Sequence, residues 1–150
     1  MTDATIMLNR VYDAPRTRVW EAITQPHHIV RWWGGAGVEN PVCEIDLRPG
    51  GRWHHVMRFP DGREMIMDFV FLEIDPPSRL VWQHADHDTR TDDLPVPRIT
   101  VTLGDLGAQT RWRMVAQFQT PAARDAALAM GFSGPIEASG IRLTEYLPTM

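Results

Sequence analysis

The last thirty residues, PAARDAALAMGFSGPIEASGIRLTEYLPTM from Pro121 to Met150, decide the fold of this chain. Pro121 suits the first position of a helix, where its missing N–H has no helical partner to lose, and good helix formers follow it. Farther on, apolar or small residues recur every three or four positions, which predicts a helix with one buried face. We expect Pro135 to kink this helix, because its ring crowds the preceding turn. The rest of the chain must cover the buried face.

The stretch upstream predicts a first strand, two short helices and then a series of hairpins. Pro15 and Pro26 each open a short helix after the first strand. The expected strands are Thr5 to Tyr12, Val42 to Leu47, Arg52 to Phe59, Glu64 to Ile74, Arg79 to His84, Arg98 to Leu103 and Thr110 to Phe118, with a surface loop over Asp86 to Pro97. Hairpins require antiparallel neighbours. The order therefore predicts an α+β domain, in which an antiparallel sheet of about seven strands is covered by a long kinked terminal helix.

Composition limits the domain count and the class of partner. A chain of 150 residues suits one domain over residues 1–150. The net charge is −4, and the fifteen arginines are scattered along a chain that has no lysine, so we expect no nucleic-acid partner and no Schiff-base chemistry. Cys43 is the single cysteine, which excludes an intrachain disulfide. We expect no membrane span, because no apolar run approaches the length that a span requires. Met1 to Asn9 lacks a signal-peptide pattern, so we expect a cytoplasmic location.

Five segments of the chain resemble the signature of one family. They are Asp13 to Pro15, Arg31 to Gly34, Asp46 to Gly51, Met57 to Gly62 and Leu72 to Val81. In their order and spacing they are similar to the activator of Hsp90 ATPase homologue 1-like (AHSA1-like) family of the START/Bet v 1-like, or SRPBCC, superfamily. The resemblance covers about Thr5 to Leu147. It implies a helix-grip fold, in which a curved sheet and the terminal helix enclose a deep apolar cavity.

Alternation along the strands indicates which side chains face the terminal helix. The expected ligand-binding residues are Trp33, Trp53, His55, Met57, Phe59, Met67, Phe69, Trp82, His84, Trp112, Met114, Phe132 and Ile136. Composition alone favours a solid core for these side chains, whereas the resemblance favours a pocket for a bulky apolar molecule. Residues 64 to 74 are apolar on both faces. Either a bulge changes the phase of this strand, or a second subunit covers its outer face and makes a homodimer.

Few residues are candidates for chemistry. His55 and His84 are the candidate general bases, with Tyr146 as an acid/base partner, since an inward imidazole titrates near neutrality. His54 and His55 point to opposite faces of a strand and cannot bind one metal ion together. The group formed by His84, Asp86, His87 and Asp88 matches no established metal motif, so we expect neither a metal nor a cofactor. The sequence has no nucleophile elbow, phosphate loop or dinucleotide fingerprint.

Three functions are therefore open. The first is a protein that binds a small hydrophobic or aromatic molecule, with His55 or His84 as the polar anchor. The second is a cyclase- or hydrolase-type enzyme of the kind that the superfamily resemblance implies, with His55 as general base and either a water or Tyr146 as its partner. The third is an Hsp90-related chaperone partner. The resemblance implies that role for proteins with an additional amino-terminal domain, which these 150 residues do not include, so we place it last.

Overall fold

The computed structural model describes residues 4–85 and 97–150. The strands are β1 (Thr5–Tyr12), β2 (Glu39–Ile45), β3 (Arg52–Arg58), β4 (Glu64–Asp75), β5 (Arg79–His84), β6 (Arg98–Asp105) and β7 (Thr110–Gln117). The helices are α1 (Arg16–Thr24), α2 (Pro26–Trp32), α3 (Pro121–Ala129) and α4 (Ser133–Tyr146), and a 3₁₀ turn (Leu147–Thr149) follows α4. The loop expected over Asp86 to Pro97 lies, except for Pro97, outside the described residues.

The seven strands form one antiparallel sheet in the order β1-β7-β6-β5-β4-β3-β2. Consecutive strands from β2 to β7 are neighbours, as hairpin connections require, and β1 closes the order beside β7. The helices pack on the face where the strands bury their aromatic and aliphatic side chains, among them Trp53, Phe71 and Leu80. The predicted α+β helix-grip fold is confirmed.

The terminal helical region breaks at Gly131, whereas the sequence placed its bend at Pro135. Gly131 has a φ of +81° between α3 and α4, a conformation that costs glycine little. The amide of Gly131 donates to Leu128 O and that of Phe132 donates to Ala127 O, which is the Schellman pattern that ends a helix. Pro135 lies instead in the first turn of α4, where an amide has no helical partner to lose.

A β-bulge in β4 explains why residues 64 to 74 are apolar on both faces. Phe71 pairs with Trp82 while Glu73 pairs with Val81, so β4 has one residue more than β5 between these pairs. Phe71 is 1% exposed, and Ile74, three residues later, also packs against the core. The bulge alternative is therefore confirmed.

Within the two described ranges, no helix combines the length and the apolar character needed to cross a membrane.

Candidate functional site

A cavity of about 270 Å³ lies between the sheet and α4. Its described walls are formed by Tyr12, Ile23, Trp32, Trp33, Gly34, Trp53, Met57, Met67, Phe69, Leu80, Trp82, His84, Pro97, Ile99, Val101, Trp112, Met114, Phe132, Pro135, Ile136, Ser139, Gly140 and Leu143. These described residues include no Asp, Glu, Lys or Arg. An apolar wall with a few polar groups is typical of small-molecule sites.

Trp53 is the centre of the aromatic part of the wall. Its ring lies edge-on to Trp33 at 5.1 Å and to Trp82 at 5.4 Å between centroids, and 5.0 Å from Phe69. It also stacks on Phe71, with an interplanar angle of 12°. Such contacts between aromatic rings fix their orientation as well as burying area. The strands β3, β4 and β5 and the end of α2 therefore present one continuous aromatic surface.

Most of the residues expected to bind a ligand border this cavity. They are Trp33, Trp53, Met57, Met67, Phe69, Trp82, His84, Trp112, Met114, Phe132 and Ile136. Phe59 does not, because β3 ends at Arg58 and Phe59 lies in the following turn, where Arg63 covers its ring at 5.1 Å. The alternation predicted from the sequence continues to Phe59, whereas β3 ends one residue earlier, at Arg58.

His55, the expected anchor or base, is fully buried beside the cavity and does not border it. Trp53 Nε1 donates to His55 Nδ1 over 3.1 Å, and His55 Nε2 donates to Asn40 Oδ1 over 2.8 Å. Asn40 Nδ2 donates in turn to the carbonyls of Val30 and Trp33. Both imidazole nitrogens are thus engaged, and the network ties β3 and β2 to α2.

The environment of His55 keeps its imidazole neutral. Burial, and to a lesser degree the nearby His54, lower the pKa of His55 to about 4. A neutral ring also fits its hydrogen bonds, since Nδ1 accepts while Nε2 donates. With both nitrogens occupied, His55 has no free site for proton transfer to a ligand.

His84 and Tyr146 have different positions. His84 borders the cavity at the end of β5, edge-on to Phe69 at 5.1 Å, and burial lowers its pKa. Tyr146 does not border the cavity; its hydroxyl lies 2.6 Å from His28 Nδ1 and Arg31 covers its ring at 5.7 Å. The acid/base pair of His55 and Tyr146 is therefore not assembled.

The described residues include no group of three or more His, Cys, Asp or Glu side chains placed to hold a metal ion. Asp86, His87 and Asp88, which follow His84 closely in the sequence, lie outside the described residues. Cys43 is partly buried on β2, and burial raises the pKa of its thiol to about 11.

Arg142 fixes the loop at the end of α2 to α4. Its guanidinium donates to Arg31 O over 2.9 Å, to Trp33 O over 3.1 Å and to Gly35 O over 2.9 Å. Such carbonyls at the end of a helix have no helical partner, and a cation there is also favoured by the helix dipole. The amide of Gly34 donates to Ser139 Oγ on the same helix over 2.8 Å. Sequence patterning missed Arg142, because position on the polar side of a helix does not reveal carbonyl partners on another element.

Tyr12 is a second residue that sequence patterning missed. It ends β1, is 2% exposed and borders the cavity. Burial raises the pKa of its hydroxyl to about 12, although Arg10 opposes the shift, so the phenol is neutral at physiological pH. Its position at the end of a strand that alternates only loosely gave no signal for a functional role.

Comparison with known proteins identifies the family. The family model described as Activator of Hsp90 ATPase homolog 1-like protein matches residues 13–148. A crystal structure from Nitrosomonas europaea is 29% identical with a TM-score of 0.87, covering 97% of this chain and 95% of that chain. One from Mycobacterium smegmatis is 25% identical with a TM-score of 0.82, covering 96% and 90%. One from Chromobacterium violaceum is 25% identical with a TM-score of 0.76, covering 96% of each.

None of the curated proteins compared with the chain matches it. The fold of the family is consistent with a domain that binds small ligands. The family model covers most of the chain, and the solved structures extend the likeness to the whole fold. The chain therefore belongs to the Activator of Hsp90 ATPase homolog 1-like family of the SRPBCC superfamily.

Proposed function

We propose that this protein binds a small hydrophobic or aromatic molecule in the cavity between the sheet and α4. The cavity itself is the observation that carries the proposal. A space of about 270 Å³ bordered by Trp53, Trp82 and Met114 is larger than the voids that remain in a close-packed core. Apolar surface that borders such a space is stabilised when a ligand removes it from water. The methionines of the wall, including Met57 and Met67, can adapt to the shape of a ligand.

The direct test is to identify small molecules that stay with the protein through native purification, by mass spectrometry. Titration of the protein with fluorene, a rigid and uncharged aromatic hydrocarbon, complements it, because Trp53, Trp82 and Trp112 border the cavity and report occupancy by fluorescence.

The variant Ile136→Trp tests where a ligand binds. Ile136 projects from α4 at the cavity wall, so the larger indole should fill the space, abolish fluorene binding and leave the fold intact. The matched control is Ile141→Trp on the same helix, since Ile141 is 53% exposed and does not border the cavity. Fluorene binding that survives Ile136→Trp, or an Ile136→Trp protein that does not fold by circular dichroism, would contradict the proposal.

We also propose that the protein forms a homodimer through the outer face of β2, β3 and β4. Val42, Val56 and Ile66 are in register across these strands, and Ile66 is 67% exposed. Leu72, the extra residue of the bulge, is 37% exposed farther along the same face of β4. Val56 is 9% exposed and Val42 is half-buried, so the exposed apolar surface lies at Ile66 and Leu72. Exposed apolar surface of this kind is typical of a face that pairs with another protein.

A further inference from the structure

The hydroxyl of Tyr12 lies where Gly140 of α4 approaches β1. A Cβ atom on Gly140 would be 3.3 Å from this oxygen, and Gly140 therefore allows α4 to approach it. The ring of Tyr12 is held in place by Trp112, edge-on at 6.4 Å, and by the guanidinium of Arg10, 5.9 Å from its centroid. The hydroxyl is thus fixed in position at the β1 side of the cavity.

This hydroxyl has no hydrogen-bond partner among residues 4–85 and 97–150. Every fully buried side-chain nitrogen or oxygen of those residues does have a partner. The Tyr12 oxygen therefore still faces open space, and the space that Tyr12 borders is the cavity. A tyrosine hydroxyl at a largely buried site normally has a partner, because an unmade hydrogen bond there is costly. A bound molecule can supply that partner.

Several other polar groups of the wall are already engaged or lie farther from β1. Ser139 Oγ accepts from the amide of Gly34 and donates to Pro135 O. The indole nitrogens of Trp32 and Trp53 donate to Ala22 O and to His55 Nδ1. His84 is on β5, three strands from β1 in the sheet, or roughly 14 Å at the backbone. Ser139 and Tyr12 carry the hydroxyl groups of the described wall, so Tyr12 provides its free hydroxyl, beside the indole of Trp112 on β7.

Two observations define the ligand's polar group. The described wall contains no Asp, Glu, Lys or Arg, so a full charge on the ligand would lose its hydration among apolar side chains. A Cβ atom on Gly140 would lie 3.3 Å from Arg10 Nη1 as well as from the Tyr12 hydroxyl. The positive charge of Arg10 at this place favours an oxygen with partial negative charge. A neutral carbonyl or ether oxygen meets both conditions, and a phenol donates well to it.

We infer, on the basis of the proposed function, that the ligand is an uncharged aromatic or polycyclic molecule with an acceptor oxygen, and that the Tyr12 hydroxyl donates to that oxygen. Tyr12 then determines specificity within the cavity, while the aromatic and methionine side chains contribute most of the affinity. The protein should therefore bind a molecule with an acceptor oxygen more tightly than a hydrocarbon of the same shape.

The experiment compares 9-fluorenone with fluorene, which have the same tricyclic shape and differ in one carbonyl group. Isothermal titration calorimetry should give a dissociation constant for 9-fluorenone that is lower than that for fluorene by roughly fivefold or more, the effect of one hydrogen bond. The variant Tyr12→Phe should remove this preference, so that 9-fluorenone and fluorene bind it with similar affinity. The matched control is Tyr146→Phe, which removes the other tyrosine hydroxyl, bonded to His28 away from the cavity, and should retain the preference.

Each outcome decides between the two proposals. Equal affinity of the wild-type protein for both compounds, or a preference that survives Tyr12→Phe, would overturn this inference and leave the proposed function standing. Failure of both compounds to bind the wild-type protein would overturn both. Tyr12→Phe should fold normally, because the hydroxyl that it removes has no protein partner among the described residues. A Tyr12→Phe protein that is unfolded by circular dichroism would show that the hydroxyl has a structural partner, and would also overturn the inference.

Discussion

At the scale of single residues, His55 has a structural role. Its two nitrogens bond Trp53 and Asn40, and Asn40 holds the backbone at the end of α2. The side chain is fully buried, so the loss of either bond would leave a polar group without water to replace its partner. His55 therefore orients Trp53, the central ring of the aromatic wall, rather than contacting a ligand itself.

The depressed pKa of His55 makes stability depend on pH. Its pKa is about 4 in the folded protein and about 6.5 in an unfolded chain, so between these values only the unfolded chain takes up the proton. The free energy of unfolding should be fully retained above pH 6.5 and should fall, by at most about 3 kcal/mol from this residue, as the pH drops to 4. Urea unfolding measured at pH 7 and at pH 4 checks this.

The control is the variant His55→Leu, which has no imidazole to titrate. We expect it to lose about 2–4 kcal/mol at pH 7, because Trp53 Nε1 and Asn40 Oδ1 lose their partner. Its stability should also fall less between pH 7 and pH 4 than that of the wild type. Burial lowers the pKa of His28 and His84 too, so both proteins retain part of the dependence. An unchanged pH dependence in His55→Leu would contradict the assignment.

Residue-level prediction from the sequence was good for orientation and weaker for role. Alternation identified Trp53, Met57 and Trp82 as inward-facing, because a strand shows this period directly. Alternation could not distinguish the role of His55 from the role of these three residues, since a side chain that faces inward can either border a cavity or form hydrogen bonds with its neighbours. That difference depends on Asn40, which comes from another strand and is fifteen residues away.

At the scale of elements, Gly131 separates α3 from α4. Its φ of +81° is strained for any residue with a Cβ, so Gly131→Ala should lower the free energy of unfolding by about 1 kcal/mol. Space is not the reason, because nothing lies within 4 Å of the added methyl group. Thermal or urea unfolding measures the effect.

Gly134 is the matched control for this substitution. It lies three residues farther on, inside α4, with the same open surroundings and an ordinary backbone conformation. Gly134→Ala should leave stability unchanged or raise it by up to about 1 kcal/mol, because alanine favours the helix. If both variants lost the same amount, strain at Gly131 would not be what divides the two helices.

Element-level prediction was accurate where local rules determine the outcome. The predicted bounds of the first strand and of β5 agree with the observed ones, because turn residues follow the first strand and precede β5. The terminal bend was assigned to Pro135 because proline disrupts the interior of a helix. Proline is tolerated in the first turn of a helix, however. The break at Gly131, four residues earlier, places Pro135 in the first turn of α4.

At the scale of the whole molecule, the proposed homodimer can be tested by sedimentation velocity over a range of concentrations. The wild-type protein should associate, and Ile66→Arg should shift it to the monomer, because a charge would then lie in the apolar row formed with Val42 and Val56. Ile141→Arg is the control, since Ile141 is also exposed but lies on α4. A wild-type protein that stays monomeric at every concentration would contradict the proposal.

The architecture of the whole molecule followed from the sequence more completely than the site did. Hairpin signals and the terminal amphipathic stretch were enough to predict the sheet and the helix that covers it. Two features of the site depend on contacts between distant segments and left no local signal. Tyr12 borders the cavity close to Gly140, where α4 approaches β1, and Arg142 reaches the end of α2 across more than one hundred residues.

The guanidinium of Arg142 couples two parts of the cavity wall that are distant in sequence. It holds the carbonyls of Trp33 and Gly35, while Ser139 on the same helix holds the amide of Gly34. Separating the loop from α4 would break all of these bonds together, so the two parts should open as one cooperative unit. A small molecule should therefore enter the cavity past another part of the wall, without separating the loop after α2 from α4.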